Sequence, residues 1–342
     1  PARKAERAKR LYRWITANVE EGQEDDGRRV VIGKQGNLWR GFIMLCRSLD
    51  IPVDYAVAQN RLSLTPDGPF TALGLYTQPL MRVKGEKGPI WLAMAGKYAP
   101  FSYVPAETRG MPAQLLLEGR WQAIRVPEGG TPDEVSVDGS VKLAPDGSAE
   151  LNLAQAFRGK YAIALRNVVA QFNDQQLRDA IESQLLGRSL RGAQLVSHKV
   201  EGVDDPDAPI VIRTRSTMRT FAQTVGSSLL IQPPFTSRIT QYASLPTRQT
   251  PLLLVEPTQQ SVHLEIVLPP GAQLQSTLAA RRVEDGERKV IVDDKSQGNK
   301  LTLSRQVVIP SGRIQPDQYP RFLDFARRAD DALLSSVRIR TR

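Results

Sequence analysis

Covalent catalysis by side chains alone needs a nucleophile with a base beside it. This sequence offers few of either: Cys46 is its one cysteine, and His198 and His263 are its only histidines. Cys46 falls about three turns into a predicted helix, on the apolar stripe, and reads as a buried core cysteine, the usual fate of an unpaired thiol. Both histidines fall in strand-like segments of the C-terminal half, Val196–Val200 and Val262–Leu264. A thiol mechanism would therefore need Cys46 paired with a histidine from the far end of the chain. A single cysteine excludes a disulfide framework and a Cys-rich zinc centre, and two histidines do not supply a His-based metal site. No metal and no cofactor is expected. The acidic run at Asp204, Asp205 and Asp207 lacks the ligand spacing of a calcium loop and reads as a solvated turn. Gly33 and Gly36 are too closely spaced to argue for a phosphate cradle.

The elements that would position such groups follow from composition and periodicity. The chain has 342 residues, 41% apolar and 24% charged, an ordinary globular composition long enough for two domains. No apolar run is long enough to span a membrane, and no signal peptide is visible. The chain begins at Pro1 inside a basic, helix-forming stretch, which reads as a piece of a longer protein. Its net charge of +10 is spread along the sequence, with the densest cluster at Arg3, Lys4, Arg7, Lys9, Arg10 and Arg13. That cluster reads as a solvated helix face. Aromatics are 6% of the residues, and no aromatic-plus-glycine signature accompanies the charge, so no specific nucleic-acid partner is expected.

Helical spacing of Ala8, Leu11, Ile15 and Val19, with Trp14 beside them, predicts a helix over 2–21. Val30–Ile32 reads as a short strand or turn, and the turn-rich Gly33–Asn37 leads into a helix over 38–49 with Asn37 as N-cap. Phe42, Cys46 and Leu49 share a stripe of that helix, with Ile43 alongside, and Pro52 closes it. Short strands follow at 53–59, 80–83 and 90–93, then an ordered loop over 96–111 and a hairpin around Gly119. Pro127–Pro132 is the predicted linker, because composition shifts there. Beyond it come strands at 135–141 and 149–153 around a Pro-Asp-Gly turn, and helices over 161–172 and 174–186. Further strands are predicted at 193–200, 210–215, 252–256, 262–268, 288–292, 301–308 and 337–340. A final helix over 316–334 places Tyr319, Phe322, Phe325 and Ala326 on one face.

Several segments together resemble a known family. They are Gly33–Ile51 (GKQGNLWRGFIMLCRSLDI), Pro79–Val83 (PLMRV), Trp91–Leu117 (WLAMAGKYAPFSYVPAETRGMPAQLLL) and Gln315–Asp330 (QPDQYPRFLDFARRAD). A turn-capped helix ending in Arg-x-x-x-Ile-Pro and followed by a small antiparallel sheet is similar to the transglutaminase-like core of papain-like fold. The tighter similarity is to bacterial proteins in which a β domain of unknown function precedes that core; the present stretch is expected not to include that domain. The resemblance implies an α+β protein. Residues 1–126 would form a transglutaminase-type core, 127–132 a linker, and 133–342 a β-rich, sandwich-like domain with added helices.

The family's chemistry uses a Cys at the N-terminus of the second helix, a His on the next strand and an Asp on the strand after it. Counting back from Ile51 by the family's spacing places the Cys position at Gln35. The His position falls at Pro79, and the Asp of Trp-Leu-Asp-Pro-Thr falls at Ala93. None of these three can act as nucleophile, base or orienting acid. The resemblance thus implies a pseudoenzyme: a relic cleft bounded by Gln35, Asn37, Pro79 and Ala93, with Trp39 and Trp91 as candidate lining, reused to bind a protein or a glycan. It would act as a scaffold within a larger protein, at the periplasm or cell envelope ahead of the cytoplasm. Two other readings make different demands. An active cysteine acyltransferase or peptidase needs a displaced triad built on Cys46. Binding to an anionic surface needs the basic N-terminal helix to be free.

Overall fold

The computed structural model describes residues 2–63, 73–86 and 88–341. The chain is α+β, as the sequence predicts, and divides into two compact units. The first comprises Pro1–Asp133 with Arg158–Ala164 and Asp204–Ala208; the second comprises Glu134–Phe157, Leu165–Val203 and Pro209–Arg342. The two added segments of the first unit follow strands far apart in sequence from the 127–132 stretch, so a composition shift alone did not mark them.

In the first unit, helix α1 (Ala2–Asn18), a short helix α2 (Gly27–Gly33) and helix α3 (Leu38–Ser48) precede a five-stranded antiparallel sheet. The strand order is Pro89–Leu92, Tyr76–Lys84, Val53–Gln59, Pro112–Leu117 and Arg120–Arg125. Strand alternation gives the sheet two buried faces. Met81, Val83 and Leu92 pack against Ala8, Tyr12, Ile15, Phe42 and Cys46 of the helices. Ala56, Ala58, Leu80 and Trp91 face the other way, under Val104 and Val126. Gly41 makes the helix packing possible. A Cβ there would stand 2.6 Å from Ile15 Cδ1 and 3.0 Å from Val30 Cγ1, so a larger residue would have to push these core methyls aside.

Three local expectations change. Val30–Ile32 is helical, because Asp26 caps α2 by accepting from the N–H groups of Arg28 and Arg29 at 3.0 Å, and Val30 is buried between helices. Helix α1 stops at Asn18, and Glu20–Glu21 pairs in parallel with Gln35–Gly36 instead of continuing the helix. Its inward stripe is Ala8, Tyr12, Ile15 and Val19, with Trp14 exposed. Helix α3 ends at Ser48, Asp50 turns the chain at φ +53, and Ile51 rather than Leu49 enters the core.

The second unit is built on a nine-stranded mixed sheet. Its order is Ala193–Glu201, Ile210–Met218, Ala149–Phe157, Val135–Leu143, Thr258–Val267, Lys300–Ile309, Arg288–Asp293 and Ala280–Asp285, with Lys295–Gln297 also on Lys300–Ile309. Thr258–Val267 and Val135–Leu143 run parallel; the other neighbours are antiparallel. A four-stranded sheet contributes Leu229, Ile231, Val337 and Ile339 to a core with Val137, Leu151, Leu264 and Leu303 of the long sheet. The last helix (Tyr319–Leu333) contributes Phe322 and Phe325 to a second core with Val290, Val307 and Ile309. The expected sandwich therefore covers part of the long sheet, and a helix covers the rest. The alternating strands showed that one face is buried, but alternation does not say what buries it. No helix among the described residues is long and apolar enough to cross a membrane.

Candidate functional site

The first unit carries a small cleft of about 170 Å³ at the start of α3. Asn37, Leu38 and Trp39 form one wall. Gln78, Pro79 and Leu80 of the Tyr76–Lys84 strand form a second, and Ala93, Met94 and Ala95 a third. Pro105 and Thr108 close it, with Glu21 at the rim. The wall at Ala93 is held from both sides: its N–H donates to the Tyr103 carbonyl at 2.9 Å, and its carbonyl accepts from the Tyr12 hydroxyl at 3.2 Å. Thr108 is buried, and its hydroxyl donates to the Pro105 carbonyl at 2.8 Å.

Of the residues that sequence pattern assigns to this region, Asn37, Trp39, Pro79 and Ala93 meet at the cleft. Gln35 and Trp91 do not line it. The exposed Gln35 lies in the short strand paired with Glu20–Glu21, three residues ahead of the first residue of α3. The spacing argument placed it at the helix start, but a tight backbone bridge intervenes. Glu20 N–H donates to the Lys34 carbonyl and Gly22 N–H to that of Gly36, both at 3.0 Å. Gly36 sits at φ +138, and a Cβ there would lie 2.7 Å from the Glu24 carbonyl oxygen and from Val30 Cγ2. The bridge therefore needs glycine at Gly36, whereas nothing lies within 4 Å of a Cβ built at Gly33. Trp91 is buried with Ala56, Leu80 and Leu115 on the opposite face of the sheet from the helices.

Asn37 starts α3, but its side chain donates to Asp25 Oδ1 at 3.2 Å rather than capping the helix. Trp39 stacks on Tyr55 with ring centroids 4.3 Å apart and planes at 22°. Arg40 covers the same indole at 4.5 Å. Tyr55 meets Trp121 edge-on at 6.3 Å, and Trp121 is 54% exposed. An aromatic strip thus runs from the cleft to the surface. The sequence reading missed Tyr55, although the alternation of Val53–Gln59 puts it on the helix-facing side, and it favoured a core position for Trp121, which is exposed.

The cleft lining contains no thiol and no imidazole, and Glu21 is its one ionisable side chain among the described residues. Cys46 lies on the inward stripe of α3 with no solvent exposure, and burial pushes its thiol up to about 12. At neutral pH such a group stays protonated and weakly nucleophilic. His198 is partly buried on the Ala193–Glu201 strand, opposite Thr214, and His263 is exposed opposite Asp138 and Ser304.

The basic N-terminal helix is largely occupied. Lys9 and Arg13 both pair with Asp207, at 2.9 and 2.8 Å, and the Phe101 N–H donates to the same carboxylate at 3.1 Å. Burial alone would raise the Asp207 pKa, but these partners hold it below the usual carboxylate range. Lys4 donates to the Asp50 carbonyl, and Arg10 pairs with Glu6. Within the acidic run that reads as a solvated turn, Asp207 thus anchors α1, while Asp204 and Asp205 are exposed. Among the described residues no cluster of His, Cys, Asp or Glu could hold a metal ion.

Residues 227–337 match the model of a family described as a domain of unknown function with a solved structure (DUF3858). A crystal structure described as that of "a putative protease" from Parabacteroides distasonis is similar over 99% of this chain, with a TM-score of 0.54 and 9% sequence identity. This chain spans about half of that protein, 52% of its length. At that identity the likeness shows the fold alone. A comparison with curated proteins gives no match.

Proposed function

We propose that the first unit is a transglutaminase-like core whose cleft has exchanged covalent chemistry for recognition and holds a segment of another polypeptide, as the interaction module of a larger protein. The observation that carries this reading is the lining at the start of α3. Pro79 and Ala93, the positions that the resemblance gives to the base and its orienting acid, do stand in the cleft wall, and neither can move a proton. The resemblance gives the nucleophile position to Gln35, which lies in the strand bridge outside the cleft lining and has no nucleophilic group. What the cleft offers instead is an apolar floor and the strip of half-buried Trp39 and Tyr55 that ends at the exposed Trp121. Stacked, partly exposed aromatics supply large contact areas at low entropic cost and are enriched where proteins bind one another. The reading with a displaced triad finds no support in Cys46, which is buried among apolar side chains. Surface binding through α1 is weakened by its ion pairs to Asp207.

A peptide-display selection against the whole chain, followed by titration of the selected peptide, tests the proposal. Trp39→Ala is expected to weaken binding about 30-fold or more, the size of an aromatic anchor worth about 2 kcal/mol. Trp121→Ala at the strip's outer end is expected to have a smaller effect. Failure to select any peptide, or a selected peptide that ignores Trp39→Ala, would refute the proposal.

A further inference from the structure

We infer that the second unit has an anion-binding site of its own, a cleft that takes a small ligand carrying two or more phosphate or carboxylate groups. The cleft holds about 640 Å³, and Arg188, Arg191 and Arg238 all line it. Among the described residues no carboxylate lines it, while Ser189, Thr220 and Gln223 supply uncharged donors. None of the three arginines has an ion pair or a side-chain hydrogen bond among the described residues. Several arginines elsewhere in this unit are matched to acids, as Arg213 is to Glu201, Arg282 to Glu284 and Arg305 to Asp294, whereas these three share one concavity with no acid among the described residues of its lining. Three unmatched guanidinium groups around one concavity repel each other unless an anion sits between them. Their planar forks suit bidentate contact with phosphate or carboxylate oxygens.

The backbone around the cleft supports a built site. Arg188–Arg191 come just after Gly187, the C-cap of a π-helical turn, Ile181–Leu186, that continues the helix Asp174–Ala180. Such turns are rare and concentrate at functional sites. On the other side Pro234 lines the cleft, and the next residue, Phe235, is buried at φ +56, a conformation costly for a bulky side chain. The Phe235 carbonyl is held there by the Gln260 side-chain amide at 3.1 Å. Two irregular segments thus present arginines to the same space.

The test is calorimetric titration of the full chain with inorganic pyrophosphate and, separately, with citrate, at low salt. Binding of either supports the site, and the anion preferred names its chemistry. Each of Arg188→Gln, Arg191→Gln and Arg238→Gln is expected to weaken binding about tenfold, and the triple variant at least about a hundredfold, as loss of charge-assisted hydrogen bonds implies. Arg219→Gln, which removes the same charge just outside the cleft lining, is expected to leave affinity within about twofold; this control separates a site from general basicity. All four positions are exposed, so unchanged thermal midpoints are expected and confirm folding. The proposal is overturned if neither anion binds at millimolar concentration, if the triple variant binds as the parent does, or if Arg219→Gln weakens binding as much as the cleft variants.

Discussion

Asp294→Ala is expected to destabilise the second unit by about 3–5 kcal/mol, while replacing Asp294 and Arg305 together by Leu and Met is expected to leave stability within about 1–2 kcal/mol of the parent or to raise it. The contrast follows from the inward row of the Lys300–Ile309 strand: Leu301, Leu303, Arg305, Val307 and Ile309, all buried. Arg305 interrupts an apolar row, and its two terminal nitrogens each meet an oxygen of Asp294 at 2.9 Å. The side chains are 3% and 0% exposed. Burial raises the Asp294 pKa despite Arg305, and burial lowers that of Arg305 despite Asp294. Burial is the leading influence on both groups, and a buried ion pair of this kind commonly gives no net stability over a well-packed apolar alternative. Removing the carboxylate alone strands a buried guanidinium and leaves the Ser304 N–H without its acceptor. Urea unfolding followed by far-UV circular dichroism checks both variants. A single variant as stable as the parent, or a double variant as weak as the single, would contradict this account.

Tyr12→Ala is expected to cost about 3–5 kcal/mol in the first unit, the range for emptying a buried aromatic site. Tyr12 has no solvent exposure and packs edge-on against Phe42 at 6.2 Å and Phe101 at 5.5 Å. Its hydroxyl also fixes the Ala93 wall of the cleft. Tyr12→Phe keeps the packing and removes only that hydrogen bond, so it should cost about 1 kcal/mol. All four tryptophans, Trp14, Trp39, Trp91 and Trp121, lie in this unit, so tryptophan fluorescence in urea reads its stability directly. Equal losses in the two variants would mean that the ring is not the packing element described here.

Much of the framework is legible in the sequence because it rests on periodicity. The Val53–Gln59 strand, the last helix with its Tyr319, Phe322, Phe325 and Ala326 face, and the Val337–Arg340 strand follow from spacing alone. The failures have a common cause in tertiary contacts. Val30 and Val31 carry β propensity, yet the Asp26 cap and packing against two helices make them helical. Gln35 matches a family spacing, but a two-residue strand pair draws it away from the helix start. Tyr55 and Trp121 become an aromatic strip only through the register of the sheet, in which Tyr55 pairs with Leu116 and Leu116 with Trp121. The arginine cleft is invisible in sequence, because its residues come from three separated segments with no shared motif.

The central claim, that the cleft binds without covalent chemistry, is tested most directly by the reactivity of Cys46, the only thiol available for such chemistry. Native chain and urea-unfolded chain are each treated with iodoacetamide near neutral pH, and uptake is read by intact mass. With the thiol held at about 12 by burial, the native chain should label at least about a thousandfold more slowly than the unfolded one. Native labelling at the rate of a free or activated thiol, slowed by His198→Ala or His263→Ala, would contradict the account and restore a cysteine mechanism.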